Sequence, residues 1–330
     1  MSGGTPSFDN GSVKRNEVIE SIRDGKLVIV TGTGVSMQTV GYPATPNTEV
    51  AGWLGLLKNG LAYCKRHNLQ ESDDTDVVEL QLSKNTTENL IAAAQQIHTW
   101  IDRKNGNPRY FWLKESIGQL KVQNPSLINA LDALAKLGGI LTTLNYDDLL
   151  EKTTSRLPLH WKQQLEIDQH LFGNSKSHVL HIHGYWEEPL SIVLDRTSYE
   201  EISTDIIMQQ LMQRFARWER FLFVGCRGTF LDPNFQTLLK WSNVALKTAR
   251  HRHFVLCREE DEATLLSELR PFGTLLEPLV FGKSFSELSQ YLESLATDSI
   301  AKNLPLTPLT QTAVPNFQKP ADIWRMQWKR

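Results

Sequence analysis

Four short clusters of glycine and polar residues each follow an apolar run, and they hold the residue types that could carry out chemistry. The first, at positions 31–36, reads TGTGVS and comes directly after the run Leu27–Val30. Its two glycines let the backbone approach a phosphate closely, and amide N–H groups at the start of a helix favour an anion. The dinucleotide fingerprint of common dehydrogenases requires a third glycine where Met37 stands. The cluster therefore predicts either a phosphate-binding turn of another kind or a plain strand-to-helix turn.

Side chains suited to hydrolytic chemistry occur in the second and third clusters. Asn145 and Asp147 follow the predicted strand Gly139–Thr142, and we expect the Asn145 amide to point into the crevice at the carboxyl ends of the strands. Alternatively, either residue only caps the next helix. His183 ends the third cluster, after the predicted strand Val179–Ile182, where an imidazole is suited to act as a base near neutral pH. A core histidine bonded to the backbone is the alternative.

A histidine pair and a cysteine allow further interpretations. His181 and His183 are two residues apart, so on a strand they share a face and are a conceivable metal site. No carboxylate or cysteine stands at a recognisable ligand spacing, which argues against a metal. In the fourth cluster, Cys226 lies between Gly225 and Gly228, and no histidine or asparagine motif identifies a partner for a nucleophilic thiol. These small residues instead favour backbone contact with a ribose.

The elements that must position these clusters alternate between strand and helix. Seven short apolar runs predict strands, at Leu27–Val30, Gly139–Thr142, Val179–Ile182, Ser191–Leu194, Phe221–Val224, His253–Leu256 and Leu275–Phe281. From Glu49 to Lys136, apolar residues recur at helical spacing and strand signals are nearly absent. Further helices are predicted after Pro233 and over Ser284–Leu295. The pattern predicts an α/β fold, a doubly wound, mostly parallel Rossmann-like sheet with an inserted helical layer.

The chain is expected to form one folded domain between two tails. Residues 1–14 are predicted to be a flexible tail, and Arg15–Arg23 a short amphipathic helix that begins the domain. The domain runs to about residue 300 and includes the helical insert at about 49–136. Residues 301–330 contain several prolines and are predicted to be an extended tail. The insert and this tail are the candidate interaction surfaces.

Composition excludes several classes of protein. The net charge is −2 and no long basic run occurs, which argues against nucleic-acid binding. Three widely spaced cysteines argue against a disulfide framework and a four-cysteine zinc module. The polar N-terminus lacks the apolar core of a signal peptide, and the apolar runs are far shorter than the ~20 residues of a membrane span. We expect a cytoplasmic protein without affinity for nucleic acid or membranes.

Taken in order along the chain, the four clusters resemble the NAD-binding motifs of sirtuins. TGTGVS is similar to the sirtuin Gly-Ala-Gly-x-Ser loop, Leu144–Asp147 to the Gln-Asn-Ile-Asp motif, and His183 with Gly184 to the catalytic His-Gly pair. Val224 and Gly225 resemble the start of the ribose-contacting segment. The resemblance spans roughly residues 26–295. It is closest to the zinc-free branch, which includes NAD-hydrolysing domains of bacterial antiphage systems and filament-forming animal proteins.

The resemblance implies an NAD hydrolase that releases nicotinamide and ADP-ribose, with NAD as substrate and no metal. It implies that Asn145 holds the nicotinamide ribose and positions a water, and that His183 acts as the base. The residues that it implies for NAD binding are Thr31, Gly32, Thr33, Gly34, Ser36, Asp147, Gly225, Cys226, Gly228 and Phe281. It also implies a homo-oligomer or filament, control by assembly or an activating protein partner, and a role in immune or antiviral defence.

Three departures distinguish the chain from the protein deacylases of the same family. The structural zinc cysteines are absent, and no arginine-bearing loop is recognisable at Gly41–Pro46. Asn145 and His183 are 38 residues apart (183 − 145), more than in deacylases. These departures argue against peptide recognition and leave the NAD site intact. The alternatives are a non-catalytic NAD or ADP-ribose sensor, a deacylase, and an ADP-ribosyltransferase or cyclase that shares the first chemical step.

Overall fold

A single parallel sheet forms the centre of the protein, as seen in a computed structural model that describes residues 10–41, 48–70, 74–171, 177–226, 252–273 and 275–301. Seven strands pair in the order β3-β4-β2-β1-β5-β6-β7, and every pairing is parallel. The strands are β1 (Leu27–Thr31), β2 (Ile140–Thr143), β3 (Leu157–His160), β4 (His178–His181), β5 (Arg220–Val224), β6 (His253–Arg258) and β7 (Leu276–Gly282). The fold is the predicted doubly wound α/β class.

Helices cover both faces of the sheet, as a parallel sheet of continuous apolar strands requires. All residues of β1, β2, β4 and β5 are buried. The helices are α1 (Asn10–Arg23), α2 (Thr33–Val40), α3 (Trp53–Arg66), α4 (Thr75–Lys84), α5 (Thr87–Asp102), α6 (Pro108–Glu115), α7 (Ser126–Lys136), α8 (Leu149–Thr154), α9 (Gln164–Leu171), α10 (Arg196–Thr204), α11 (Ile206–Trp218), α12 (Glu262–Leu269) and α13 (Leu288–Ala301). In the described part of the chain, no helix has the length and apolar character to cross a membrane.

The predicted helical insert corresponds to α3 to α7, between the first two strands. Its apolar stripes are buried at helical spacing, as in α3, where Leu56, Leu57, Leu61 and Cys64 face inward. These helices share one large core with the side of the sheet that carries Ile29. Alternate strand residues face a second core, which α10, α11 and α12 cover.

The position of β1 in the sheet creates a crevice. From β1 the chain builds β2, β4 and β3 on one side, and it then returns to add β5, β6 and β7 on the other. Adjacent strands whose onward connections run in opposite directions leave a gap at their carboxyl ends, where ligands bind in open α/β sheets. The gap lies between β1 and β5, so the residues after Thr31 and Val224 form its two sides.

Three predictions about elements are wrong. The run Ser191–Leu194 is not a strand, because Pro189–Ser191 forms a 3-10 turn and the apolar residues after it are buried as a loop. The edge strand β3 is absent from the predicted set, because Pro158 obscures its pattern. Helix α1 begins at Asn10, five residues before the predicted start. The predicted helix after Pro233, Gly228 and the tail from residue 302 lie outside the described residues.

Candidate functional site

A cavity of about 450 Å³ opens at the carboxyl ends of β1, β2 and β4. One wall comes from the loops after these strands and carries Gly32, Thr33, Asn145, Asp147 and His183. The facing wall comes from the helical layer and includes Val50, Trp53, Leu54, Leu90 and Ile117. The structure thus brings the first three sequence clusters to one place, although Asn145 and His183 are far apart in the chain. The wall from the helical layer was not predicted.

Hydrogen bonds fix the orientation of the Asn145 side chain. Its Nδ2 donates to the Gly32 carbonyl oxygen at 2.9 Å and to Ser36 Oγ at 2.7 Å. Because a carbonyl oxygen only accepts, Nδ2 must face Gly32, and the amide cannot be reversed. Asn145 Oδ1 is buried and has no hydrogen-bond partner within the described structure. A buried acceptor without a partner is costly, so this atom is suited to a donor from a ligand or a bound water.

Asp147 continues the same chain of hydrogen bonds. Ser36 Oγ donates to Asp147 Oδ2 at 2.6 Å, and the Leu149 amide donates to Asp147 Oδ1 at 3.2 Å. Burial raises the pKa of Asp147 to about 6, against the lowering effect of these two hydrogen bonds. Asp147 therefore both orients the Asn145 amide through Ser36 and fixes the start of the turn into α8.

A sharp turn presents His183 to the cavity. Gly184 follows with φ +93°, and a Cβ there would lie 2.2 Å from the Ser191 carbonyl oxygen. Only glycine fits this turn, because both the backbone conformation and the space exclude a side chain. The Val193 amide donates to the His183 carbonyl at 2.8 Å, and the His183 ring meets Tyr199 edge-on at 5.8 Å. His183 is therefore held between two loops with its ring beside the Asn145 wall.

His181 does not line the cavity, and its ring instead contacts the backbone of Asn145 and the side chain of Glu151. Its Nδ1 lies 3.1 Å from the Asn145 carbonyl oxygen and its Nε2 lies 2.7 Å from Glu151 Oε1. Burial would lower the pKa of His181, but the Glu151 carboxylate outweighs burial and raises it above its ordinary value. Both ring nitrogens are engaged, which leaves none for a metal shared with His183. Among the residues that the structure describes, no group of three His, Cys, Asp or Glu side chains could hold a metal ion.

The predicted glycine loops contact each other across the gap between β1 and β5. The Gly32 amide donates to the Val224 carbonyl at 3.0 Å, and the Gly34 amide donates to the Gly225 carbonyl at 2.9 Å. A Cβ on Gly32 would lie 2.7 Å from the Gly225 oxygen, and Gly225 itself has φ +67°. Here the glycines are required for backbone-to-backbone packing, and α2 begins between Gly32 and Gly34, at Thr33.

Two of the predicted ligand-contact residues make hydrogen bonds within the protein. Thr31 is fully buried, and its Oγ1 donates to the Thr142 carbonyl at 3.2 Å, which ties β1 to β2. The Cys226 thiol is buried against the second core and lies 3.3 Å from the Val30 carbonyl. The sequence alone does not indicate whether a short polar side chain at a strand end will bond to a ligand or to the backbone of a neighbouring strand.

A second, smaller cavity of about 70 Å³ lies on the other side of the glycine contact. Gly34, Gly225 and Cys226 border it, and Phe281, Arg258 and Phe285 form its outer wall. The two cavities thus border the same pair of glycine loops, the larger at Gly32 and the smaller at Gly34 and Gly225. This arrangement has the form expected for a long ligand that crosses the contact and reaches into both sides.

Comparison with known families agrees with the fold. Residues 139–273 match the family model of the SIR2-like domain. The matched segment begins just before β2 and ends after α12, and it includes Asn145, His183 and Gly225. The match covers β2 to β6, five of the seven strands, and supports a sirtuin-like protein that uses NAD.

Proposed function

We propose that the protein is an NAD glycohydrolase that cleaves the bond between nicotinamide and ribose. The observation that carries the proposal is the buried Asn145 Oδ1, an acceptor without a protein partner in the described structure, on the wall that it shares with His183. In this proposal the adenosine half of NAD lies toward the smaller cavity, the pyrophosphate crosses the glycine contact at the start of α2, and the nicotinamide ribose enters the larger cavity.

The proposed reaction consumes one water and needs no other reactant. The bond between the anomeric carbon and the ring nitrogen breaks, and its electron pair goes to the ring, so the pyridinium leaves as neutral nicotinamide. Positive charge develops on the ribose while Asn145 Oδ1 accepts a hydrogen bond from a ribose hydroxyl or from the attacking water. Water then bonds to the anomeric carbon from the opposite face, and its proton passes to His183. The products are nicotinamide and ADP-ribose.

Substitution of either central residue tests the proposal. We expect Asn145→Ala and His183→Ala each to lower the rate of nicotinamide release roughly 100-fold, the scale of a lost positioning group or general base. The matched controls are Asn129→Ala and His67→Ala, because both side chains are exposed and neither lines the cavity. We expect the controls to retain the wild-type rate. Unchanged turnover in both site variants would remove Asn145 and His183 from the mechanism.

Product analysis separates hydrolysis from the other reactions that share its first step. Equimolar nicotinamide and ADP-ribose from NAD in buffer indicate a hydrolase, whereas a cyclic product or modified protein indicates a cyclase or transferase. Nicotinamide release only in the presence of an acyl-lysine peptide indicates a deacylase. Tight NAD binding without nicotinamide release at any protein concentration supports the non-catalytic sensor.

We also propose that self-association controls this activity, through the helical layer. Three large apolar side chains of the layer are exposed, Val77 and Leu80 on α4 and Phe111 on α6, each more than half accessible. Exposed apolar residues of this size are typical of interaction surfaces when they are close together. Specific activity that rises with protein concentration, and that Leu80→Ser reduces, supports this control. Equal specific activity across a roughly hundredfold range of concentration contradicts it.

A further inference from the structure

A second buried polar atom without a partner belongs to a residue that lines the larger cavity from the opposite wall. Trp53 is the first residue of α3 and lines the cavity, and its Nε1 is buried and has no hydrogen-bond partner in the described part of the chain. Asn145 Oδ1 is the corresponding atom of the strand-side wall. Asn145 Oδ1 is an acceptor and Trp53 Nε1 is a donor, so a single ligand could form a hydrogen bond with each of them.

The backbone around Trp53 is packed tightly. Gly55, in the first turn of α3, would place a Cβ only 1.9 Å from the Glu49 carbonyl oxygen, so the chain before the helix lies directly on that turn. The Gly52 amide donates to that same carbonyl at 2.9 Å, and the Leu56 amide donates to the Gly52 carbonyl at 2.9 Å. The start of α3 is therefore held in place, and the indole belongs to a preformed wall.

The chemistry of this wall indicates which part of a ligand it accepts. An indole N–H only donates, so its partner must be an acceptor such as a carbonyl oxygen. The helical layer lines the cavity mainly with apolar side chains, which suit a flat apolar ring better than a polyhydroxylated sugar. Besides Trp53 they are Val50, Leu54, Leu90 and Ile117, and Asn85 and Thr87 are the polar residues of this wall. Ribose hydroxyls, which can donate, suit Asn145 Oδ1 instead.

We propose that Trp53 Nε1 donates a hydrogen bond to the carboxamide oxygen of the nicotinamide group. This inference rests on the proposed function for the identity of the ligand. It makes Trp53 a specificity residue that the helical insert contributes, and it gives the insert a role in selecting the leaving group. The hydrogen bond orients the ring relative to the ribose held at Asn145, so that the bond to be broken faces the water site.

Trp53→Phe is the test variant, because it removes the N–H and retains an aromatic ring. Its matched control is Trp100→Phe, because Trp100 Nε1 is also buried without a hydrogen-bond partner in the described structure. Trp100 lies on α5 in the hydrophobic core, away from the cavity. Each protein is assayed with NAD and with the dinucleotide that carries an unsubstituted pyridinium in place of nicotinamide. We expect Trp53→Phe to lower kcat/KM for NAD about threefold to tenfold, the effect of one lost hydrogen bond, and to leave kcat/KM for the analogue unchanged. Equal losses on both substrates, or no loss on NAD, would overturn the assignment.

A binding measurement separates this inference from the proposed reaction. The wild-type protein is titrated by calorimetry with nicotinamide, with 3-acetylpyridine, which keeps the carbonyl oxygen and lacks the amide N–H groups, and with pyridine. We expect the first two to bind similarly and pyridine to bind at least about threefold more weakly, and we expect Trp53→Phe to remove this difference. If the difference is seen without NAD cleavage, the proposed hydrolysis is wrong and the carboxamide contact stands. If the three bind equally, or none binds, the contact is wrong, even where Trp53→Phe fails to fold.

Discussion

At the scale of single residues, Asp147 shows that this site is maintained at a cost in stability. Burial raises its pKa from 3.8 to about 6, so the folded chain binds the proton more tightly than the unfolded chain. The free energy that protonated Asp147 contributes to folding is fully present below about pH 4. This contribution is lost as the pH rises through about 6, and it stays lost at higher pH. About two pKa units correspond to roughly 3 kcal/mol.

We therefore expect Asp147→Asn to increase the free energy of unfolding by about 1–3 kcal/mol at pH 8, because the neutral amide removes the buried charge. At pH 4 the difference from the wild type should nearly vanish. Urea unfolding at the two pH values measures this, with the exposed Asp76→Asn as the control. An equal effect of Asp147→Asn at pH 4 and pH 8 would mean that Asp147 does not titrate in this range.

The sequence predicts some of these residues for a clear physical reason. Asn145 and His183 follow strand ends, and the carboxyl ends of parallel strands necessarily meet, so their shared location follows from the fold class. Glu151 is different, because its contact with His181 depends on how the short helix α8 turns back over β4. A glutamate in the first turn of a helix looks like any exposed residue, and only the packing identifies it.

At the scale of elements, the contact between the two glycine loops leaves no room for an added side chain. Gly225 and Gly25 have nearly the same backbone angle, φ +67° and +64°, but a Cβ would clash at 2.7 Å in the first and lie at 3.7 Å in the second. Both alanine variants carry the strain of a positive φ, of order 1–2 kcal/mol. The comparison between them isolates the close packing of the loops.

We expect Gly225→Ala to be less stable than Gly25→Ala and to lose NAD affinity, because α2 and the β5 loop must separate to accept the added methyl group. Gly25→Ala should bind NAD like the wild type. Thermal unfolding and calorimetric titration with NAD give the two measurements. Equal NAD affinity in the two variants would show that the glycine contact does not form part of the ligand path.

The helical layer is joined to the strand-side wall by a buried hydrogen bond between His98 and Asp195, and burial lowers the pKa of His98. His98 on α5 lies 2.6 Å from Asp195, whose side chain caps α10, and α10 carries Tyr199 against His183. Burial raises the pKa of Asp195, but the hydrogen bonds from His98 and Ser198 outweigh it and hold the pKa well below its usual range. Asp195 therefore stays ionised and requires its partner.

Removal of that partner leaves a charge that is buried and poorly compensated. We expect His98→Ala to lower the free energy of unfolding by about 3 kcal/mol at pH 7, and to reduce turnover through the loosened Tyr199. The exposed His67→Ala serves as the control and should change stability by less than about 0.5 kcal/mol. A loss no larger than in His67→Ala would indicate that water replaces the imidazole.

Strands buried on both faces are the elements that the sequence predicts best. Runs such as Leu27–Val30 consist of β-branched and apolar residues because no position faces water, and a short run of this kind between polar turns is typical of a central parallel strand. Ser191–Leu194 has the same composition and is a loop, because its apolar residues are buried beside the sheet and not within it. Apolar character reports burial, whereas strand pairing depends on neighbours that are distant in the sequence.

At the scale of the whole molecule, the larger cavity lies between the sheet and the helical layer, which share one core. One large core joins the helical layer to the sheet, so a ligand in the cavity should stabilise both. We expect NAD at about 100 times its dissociation constant to raise the free energy of unfolding by about 2.7 kcal/mol and to shift a single calorimetric transition. ADP-ribose, which lacks the nicotinamide, should stabilise less. Two separated transitions, of which NAD shifts one, would show that the layers unfold independently.

The order of strands in the sheet also has a consequence for the synthesis of the protein. β1 pairs with β5, and their loops meet at Gly32 and Gly225, residues separated by almost two hundred positions in the chain. A ribosome that has made the whole helical layer, Asn145 and His183 has still not made the second side of the crevice. The nascent chain therefore cannot form the complete ligand path until β5 has emerged and paired, a late and slow contact because of its long sequence separation. Under the proposed function, the chain would thus remain inactive through most of its own translation, without a separate inhibitor.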